Sequence, residues 1–124
     1  MIDSSFEYAD SRWQDIYLHL QKEGFDVYSP GTKTGQCLNE YIVIKNNGSS
    51  KLASFSTDSD LYTIMCYVPK DKYSSLEPFI QKVKKSMKGL EPMILPQGNQ
   101  TPSYYDDGFK AHMISIGYKN YKKI

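Results

Sequence analysis

The sequence predicts an α+β domain, a single antiparallel or mixed sheet of five to six strands with two helices packed on one face. Three observations lead there. Residues 61–68 set Leu61, Thr63, Met65 and Tyr67 against Tyr62, Ile64, Cys66 and Val68. Both sets are largely apolar and rich in β-branched or aromatic side chains, as in a central strand buried on both faces. Leu76, Phe79, Ile80, Val83 and Met87 then recur at helical spacing, with Gln81, Lys82, Lys84, Lys85 and Lys88 on the other side. No repeat or linker interrupts the 124 residues, so residues 1–124 read as one domain.

In chain order, residues 1–9 are a lead-in segment. Asp10 or Ser11 can cap a helix running to about Glu23, with Trp13, Ile16, Tyr17 and Leu20 as its apolar stripe. Gly24 stops that helix, and Phe25, Val27 and Tyr28 start a short strand. Residues 29–35 are a loop. Its two glycines and lysine lack the spacing of a phosphate-binding loop, and no helix pattern follows. Residues 39–45 read as a strand, and Asn46-Asn47-Gly48-Ser49-Ser50 as a hairpin turn, because Asn-Gly accepts the positive φ such turns need. Leu52 to Phe55 is the returning strand, and residues 56–60 break the pattern before the central strand.

Pro69 ends the central strand, having no N–H for the ladder. Ser75 is the expected N-cap of the second helix, Pro78 fits its first turn, and Gly89 its C-terminal stop. Met93-Ile94-Leu95, between two prolines, is a short edge strand. Residues 97–108 form a long loop without period, and the last strand runs from Phe109 to about Tyr121. The expected order is α-β-β-β-β-α-β-β.

Composition narrows the function classes. A 124-residue chain buries about two-thirds of its unfolded surface on folding. With 40% hydrophobic residues and a net charge of +1, it reads as a soluble globular protein and not as a polyanion binder. No apolar run approaches the roughly 20 residues that cross a bilayer, and the acidic, polar start is unlike a signal peptide. The expectation is a cytoplasmic protein with no membrane partner. Cys66, in the central strand, fits that compartment as a small buried hydrophobe; a disulfide with Cys37 is the weaker alternative. Eleven tyrosines suit either half-exposed sheet positions or large subunit interfaces.

Little in the sequence points to catalysis. His19 and His112 are isolated, and no C-x-x-C or H-x-x-x-H spacing occurs, so no metal or cofactor is expected. Asp58 with Asp60, and Asp106 with Asp107, stand among Ser, Thr and Gly at strand boundaries, where Asp commonly shapes turns. The lysines of the second helix have no arginine or aromatic platform beside them, which argues against nucleic-acid recognition.

The layout itself is informative. A first helix carrying Ile16-Tyr17-Leu18-His19-Leu20 leads to a short strand and then to Tyr41-Ile42-Val43-Ile44 and a turn. Ser54-Phe55-Ser56-Thr57-Asp58-Ser59-Asp60-Leu61-Tyr62 follows, then Pro69, an amphipathic helix and a final long strand after a Pro/Gly-rich loop. Over about residues 10 to 120 this arrangement resembles the tail-terminator (tail-completion) proteins of long-tailed phages and phage-tail-like bacteriocins, in element order and not in any single motif. The resemblance implies a non-enzymatic structural protein forming a homo-hexameric ring on the last ring of the tail tube. There it stops tube polymerisation and presents a collar or head-connector surface. The implied partners are further copies of itself, the tail-tube protein, the sheath protein in a contractile system and a head connector. The implied location is the bacterial host cytoplasm during assembly and then the particle.

A head-to-tail ring needs two different faces on each subunit. The candidate interface residues are Tyr104, Tyr105, Asp106 and Asp107 in the long loop, with Gly31, Lys33 and Gly35 in the earlier one. Tyr104 and Tyr105 could equally just pin their loop to the sheet. Two other classes stand beside this one. A small binding module could take a ligand or peptide on the open sheet face. A divergent hydrolase or nuclease would rely on Asp58 and Asp60.

Overall fold

The longest ladder in the molecule joins two 13-residue strands, Thr57–Pro69 and Ala111–Lys123, paired antiparallel from Thr57↔Lys123 to Pro69↔Ala111. The structure, a computed structural model, describes residues 12–51 and 57–123. In order the elements are α1 (Trp13–Lys22), β1 (Val27–Tyr28), β2 (Tyr41–Lys51), β3 (Thr57–Pro69), a 3-10 segment Lys70–Ser75 and α2 (Leu76–Met87). A 3-10 turn Lys88–Leu90, β4 (Leu95–Gln100), β5 (Tyr104–Asp106) and β6 (Ala111–Lys123) complete the chain. The fold is α+β, one six-stranded mixed sheet in the order β1-β2-β3-β6-β4, with β5 pairing a different part of β6. Among the described strands only β1 runs parallel to its neighbour, β2.

Both helices cover one face. Ile16 and Leu20 of α1 and Leu76, Phe79, Ile80, Val83 and Met87 of α2 pack on Ile42, Ile44, Tyr62, Ile64, Cys66, Val68, Ile114, Ile116 and Tyr118. These strand positions are cross-strand partners, Cys66 opposite Ile42 and Ile114, and Ile64 opposite Ile44 and Ile116. Period-two alternation therefore aims one continuous apolar surface at the helices, and each such side chain contributes about 1.5–3 kcal/mol by leaving water. The other face is more open than expected of a strand buried on both sides. Leu61, Thr63 and Met65 are only half-buried there, whereas Tyr67 is buried by a second cluster with Tyr41, Val43, Cys37, Ala111 and Met113. Cys37 and Cys66 are free and belong to the two different clusters.

Several helix-end assignments change. The proposed caps Asp10 and Ser11 lie outside the described residues; Arg12 occupies the N-cap position and makes no side-chain cap. The stop at Gly24 is as expected. With φ +97, it lets its own N–H bond Gln21 O and the Phe25 N–H bond Leu20 O, both at 3.0 Å, closing a Schellman motif. Ser75 does not cap α2. Its Oγ donates back to Lys72 O at 2.7 Å, because the preceding 3-10 segment already keeps Ser75 helical. Gly89 is no left-handed stop either, since the chain tightens into the Lys88–Leu90 turn. Glycine is needed at position 89 for a close approach: an added Cβ would lie 2.9 Å from His19 Cε1.

The strand assignments change more. Asn46-Asn47-Gly48 is a bulge within β2 and not a hairpin turn: register shifts between Asn46 and Ser49, so two residues oppose Leu61 alone. Gly48 takes φ +94, and its N–H donates to Asn46 Oδ1 at 2.7 Å. The returning strand expected at 52–55 lies outside the described residues, while Thr57 to Asp60, expected as a break, belong to β3. Part of the expected 97–108 loop is strand. Of the expected strand Met93-Ile94-Leu95 only Leu95 is strand, Met93 and Ile94 still belonging to the preceding turn; β4 runs from Leu95 to Gln100 and β5 adds Tyr104–Asp106, because β6 has an outer edge whose backbone groups these segments satisfy. The observed order is α-β-β-β-α-β-β-β.

Candidate interaction surface

The two segments singled out in the sequence come together. The Cys37 N–H donates to Phe109 O at 2.7 Å, tying the 29–40 loop to the turn that joins β5 to β6. Between these segments lies the open-face cluster, an aromatic run in which Tyr28 meets Tyr41 edge-on, Tyr41 stacks on Tyr67 and Tyr67 meets Phe109 edge-on. Lys33 holds its ammonium 5.3 Å from the Tyr28 ring centroid and 5.4 Å from that of Tyr41, a cation–π arrangement. The flanking Gly31 and Gly35 have positive φ and shape the loop that delivers Lys33. Burial raises the Cys37 thiol, and Lys33 partly opposes that shift.

Asp106 and Asp107 serve the turn. Asp106 Oδ1 accepts from the Phe109 N–H at 3.2 Å, and Asp107 pairs with Lys110 at 3.0 Å. This pair, chiefly its hydrogen bond, also raises the Lys110 ammonium pKa. The two carboxylates thus work inside the hairpin, as Asp does in turns.

Tyr104 and Tyr105 project to opposite sides of the sheet edge, as neighbouring strand residues must. Tyr104, opposite Met113, directs its hydroxyl at Met113 Sδ, 3.6 Å away. Tyr105, opposite His112, lies 5.2 Å ring to ring from the imidazole. Tyr73, from the 3-10 segment, meets His112 edge-on at 4.7 Å, and its hydroxyl lies 3.1 Å from Ser103 Oγ. His112 is held between the two tyrosines, with Nε2 3.0 Å from Lys70 O.

Three large rings nevertheless remain on the surface: Tyr73 is 55% exposed, Tyr104 49% and Tyr105 39%. Exposed aromatics on both sides of a sheet edge are interface material, because Tyr supplies a large amphipathic ring. Tyr73 and His112 are not among the interface candidates of the sequence, where His112 stands only as an isolated histidine. Tyr73 precedes an apparent helix start, and His112 sits in line with Ile114, Ile116 and Tyr118, so no local pattern marks them. Among the described residues no group of three or more His, Cys, Asp or Glu is placed to share a metal ion. His19 is engaged structurally, with Nε2 2.7 Å from Ser86 O across the two helices.

Compared with known proteins, the sequence matches no protein-family model and no curated protein.

Proposed function

We propose that this is a non-enzymatic structural assembly protein of the tail-terminator kind, whose subunits form a ring that caps a tail tube. The observation that carries the reading is the short edge strand β5 with exposed tyrosines on both of its sides, Tyr104 on one and Tyr105, near Tyr73, on the other. An edge strand offers backbone groups for pairing, and the tyrosines beside it offer area to bury. The α+β layout is compatible with the same reading. The ring would be built from copies of this chain, with the tail-tube protein below and a sheath or head connector beside it, assembling in the bacterial cytoplasm.

The test is the solution mass by native mass spectrometry across concentration, with negative-stain imaging, alone and with the tube protein. Six-fold mass and ring-shaped particles are expected, at the latest on the tube tip. A chain that stays monomeric even with tube present would overturn the reading and turn attention to the binding-module alternative on the open face.

A further inference from the structure

On the helix-covered side, between the C-terminal half of α2 and the outer edge of β6, is a cavity of about 290 Å³. It is a consequence of β4. Pro96 opposes Tyr118 and Gln100 opposes Ile116, so three residues of β4 span the single position of Gly117 and the strand bows away. Bulges that re-aim a strand are common beside binding sites. Ile116 and Tyr118 line the cavity with apolar surface, Gln100 adds an amide, and Lys84, Lys88 and Glu91 bring charge.

Lys84 and Lys88 stand four residues apart and so share a helix face. Lys84 is only partly exposed and lines the cavity, as a lysine does when its apolar stem lies against protein. Two positive charges outweigh the Glu91 carboxylate together with the roughly half charge of a helix C-terminus. Tyr118 is 3% exposed yet lines the cavity. Burial pushes that hydroxyl up to about 12, so at neutral pH it is a neutral phenol able to donate. Volume, apolar floor, a phenol in the wall and excess positive charge point to one ligand class.

We infer that this cavity binds a small amphipathic monocarboxylate, its compact aryl or branched-alkyl body against Ile116 and Tyr118 and its carboxylate toward Lys84 and Lys88. The volume lies at the lower end for ligand sites and suits a body of fragment size. This site is independent of the ring proposal, sharing none of the exposed tyrosines.

The experiment is titration of the full chain with 4-phenylbutyrate, followed by amide chemical shifts, with 4-phenylbutylamine as the matched cation. Saturable shifts at Gly98, Gln100, Gly117 and Tyr118 are expected with the acid and not with the amine. The double variant Lys84→Glu/Lys88→Glu changes a partly exposed and an exposed position, and an unchanged spectrum away from the cavity reports its fold. It should weaken the acid by about tenfold or more, as like charges now face each other. Tyr118→Phe keeps the ring and removes only the donor, and should weaken the acid while leaving the fold intact. Absence of saturable shifts at these residues, equal binding of the amine, or unchanged affinity in the double variant would each overturn the inference.

Discussion

The ring of Tyr41 stacks on that of Tyr67 with centroids 4.8 Å apart and planes 18° from parallel. The two residues are direct cross-strand partners on β2 and β3, on the face that carries no helix. Such pairs are the unit of sheet stabilisation, and here the pair anchors a second small core. It is also where the 29–40 loop and the β5–β6 turn meet the sheet.

Removing that anchor should be costly. Tyr67→Ala is expected to destabilise the fold by about 3–5 kcal/mol, as large aromatic truncations in cores do. Urea unfolding followed by circular dichroism measures it. A loss below about 1 kcal/mol would mean that the open-face cluster contributes little to the fold.

The contact between the helices gives a coupled pair. Gly89→Ala places a Cβ 2.9 Å from His19 Cε1, and the imidazole cannot retreat without giving up its 2.7 Å contact with Ser86 O. We expect Gly89→Ala to cost about 1–3 kcal/mol. In the His19→Ala background the same change should cost much less, because the clash is gone. A double-mutant cycle measures the coupling, and strict additivity would contradict it.

Alkaline pH should weaken the fold. Burial pushes the Tyr67 and Tyr118 hydroxyls up to about 12 from an ordinary 10, and Tyr41 upward for the same reason. The unfolded chain loses these protons near pH 10, whereas the folded chain keeps them to about pH 12. Their contribution is therefore fully present below pH 10 and is lost as pH rises from 10 toward 12. Urea midpoints measured over that interval should fall, and fall less steeply in Tyr118→Phe. A flat profile would show that the hydroxyls ionise normally in the fold.

Assembly should depend on the exposed rings. Tyr104→Ser/Tyr105→Ser leaves the apolar cores unchanged, so the protein should stay folded, with stability altered by about 1 kcal/mol or less. Ring formation, read by native mass spectrometry, should weaken. Unchanged assembly would remove these two tyrosines from the interface and leave Tyr73 as the surface aromatic to test.

Local chemistry in the sequence determined the α+β class, the two amphipathic helices, the central strand and the Gly24 stop, because each rests on periodicity or on one residue's allowed φ. Tyr104, Tyr105, Lys33 and their neighbours became candidates through their place in loops and the resemblance in layout. Tertiary structure decided what those patterns meant. Asn47-Gly48 can serve a turn or a bulge, and only the continued pairing of β2 with β3 selects the bulge. Residues 97–108 carry no period of their own, and it is the free edge of β6 that draws two strands from them. Gly89 matters for a histidine 70 positions away in sequence, and His112 becomes part of a surface because Tyr73 and Tyr105 arrive from separate segments. The cavity beneath Lys84 exists only because β4 bows over Gly117. These are long-range juxtapositions, and no window of sequence contains both partners.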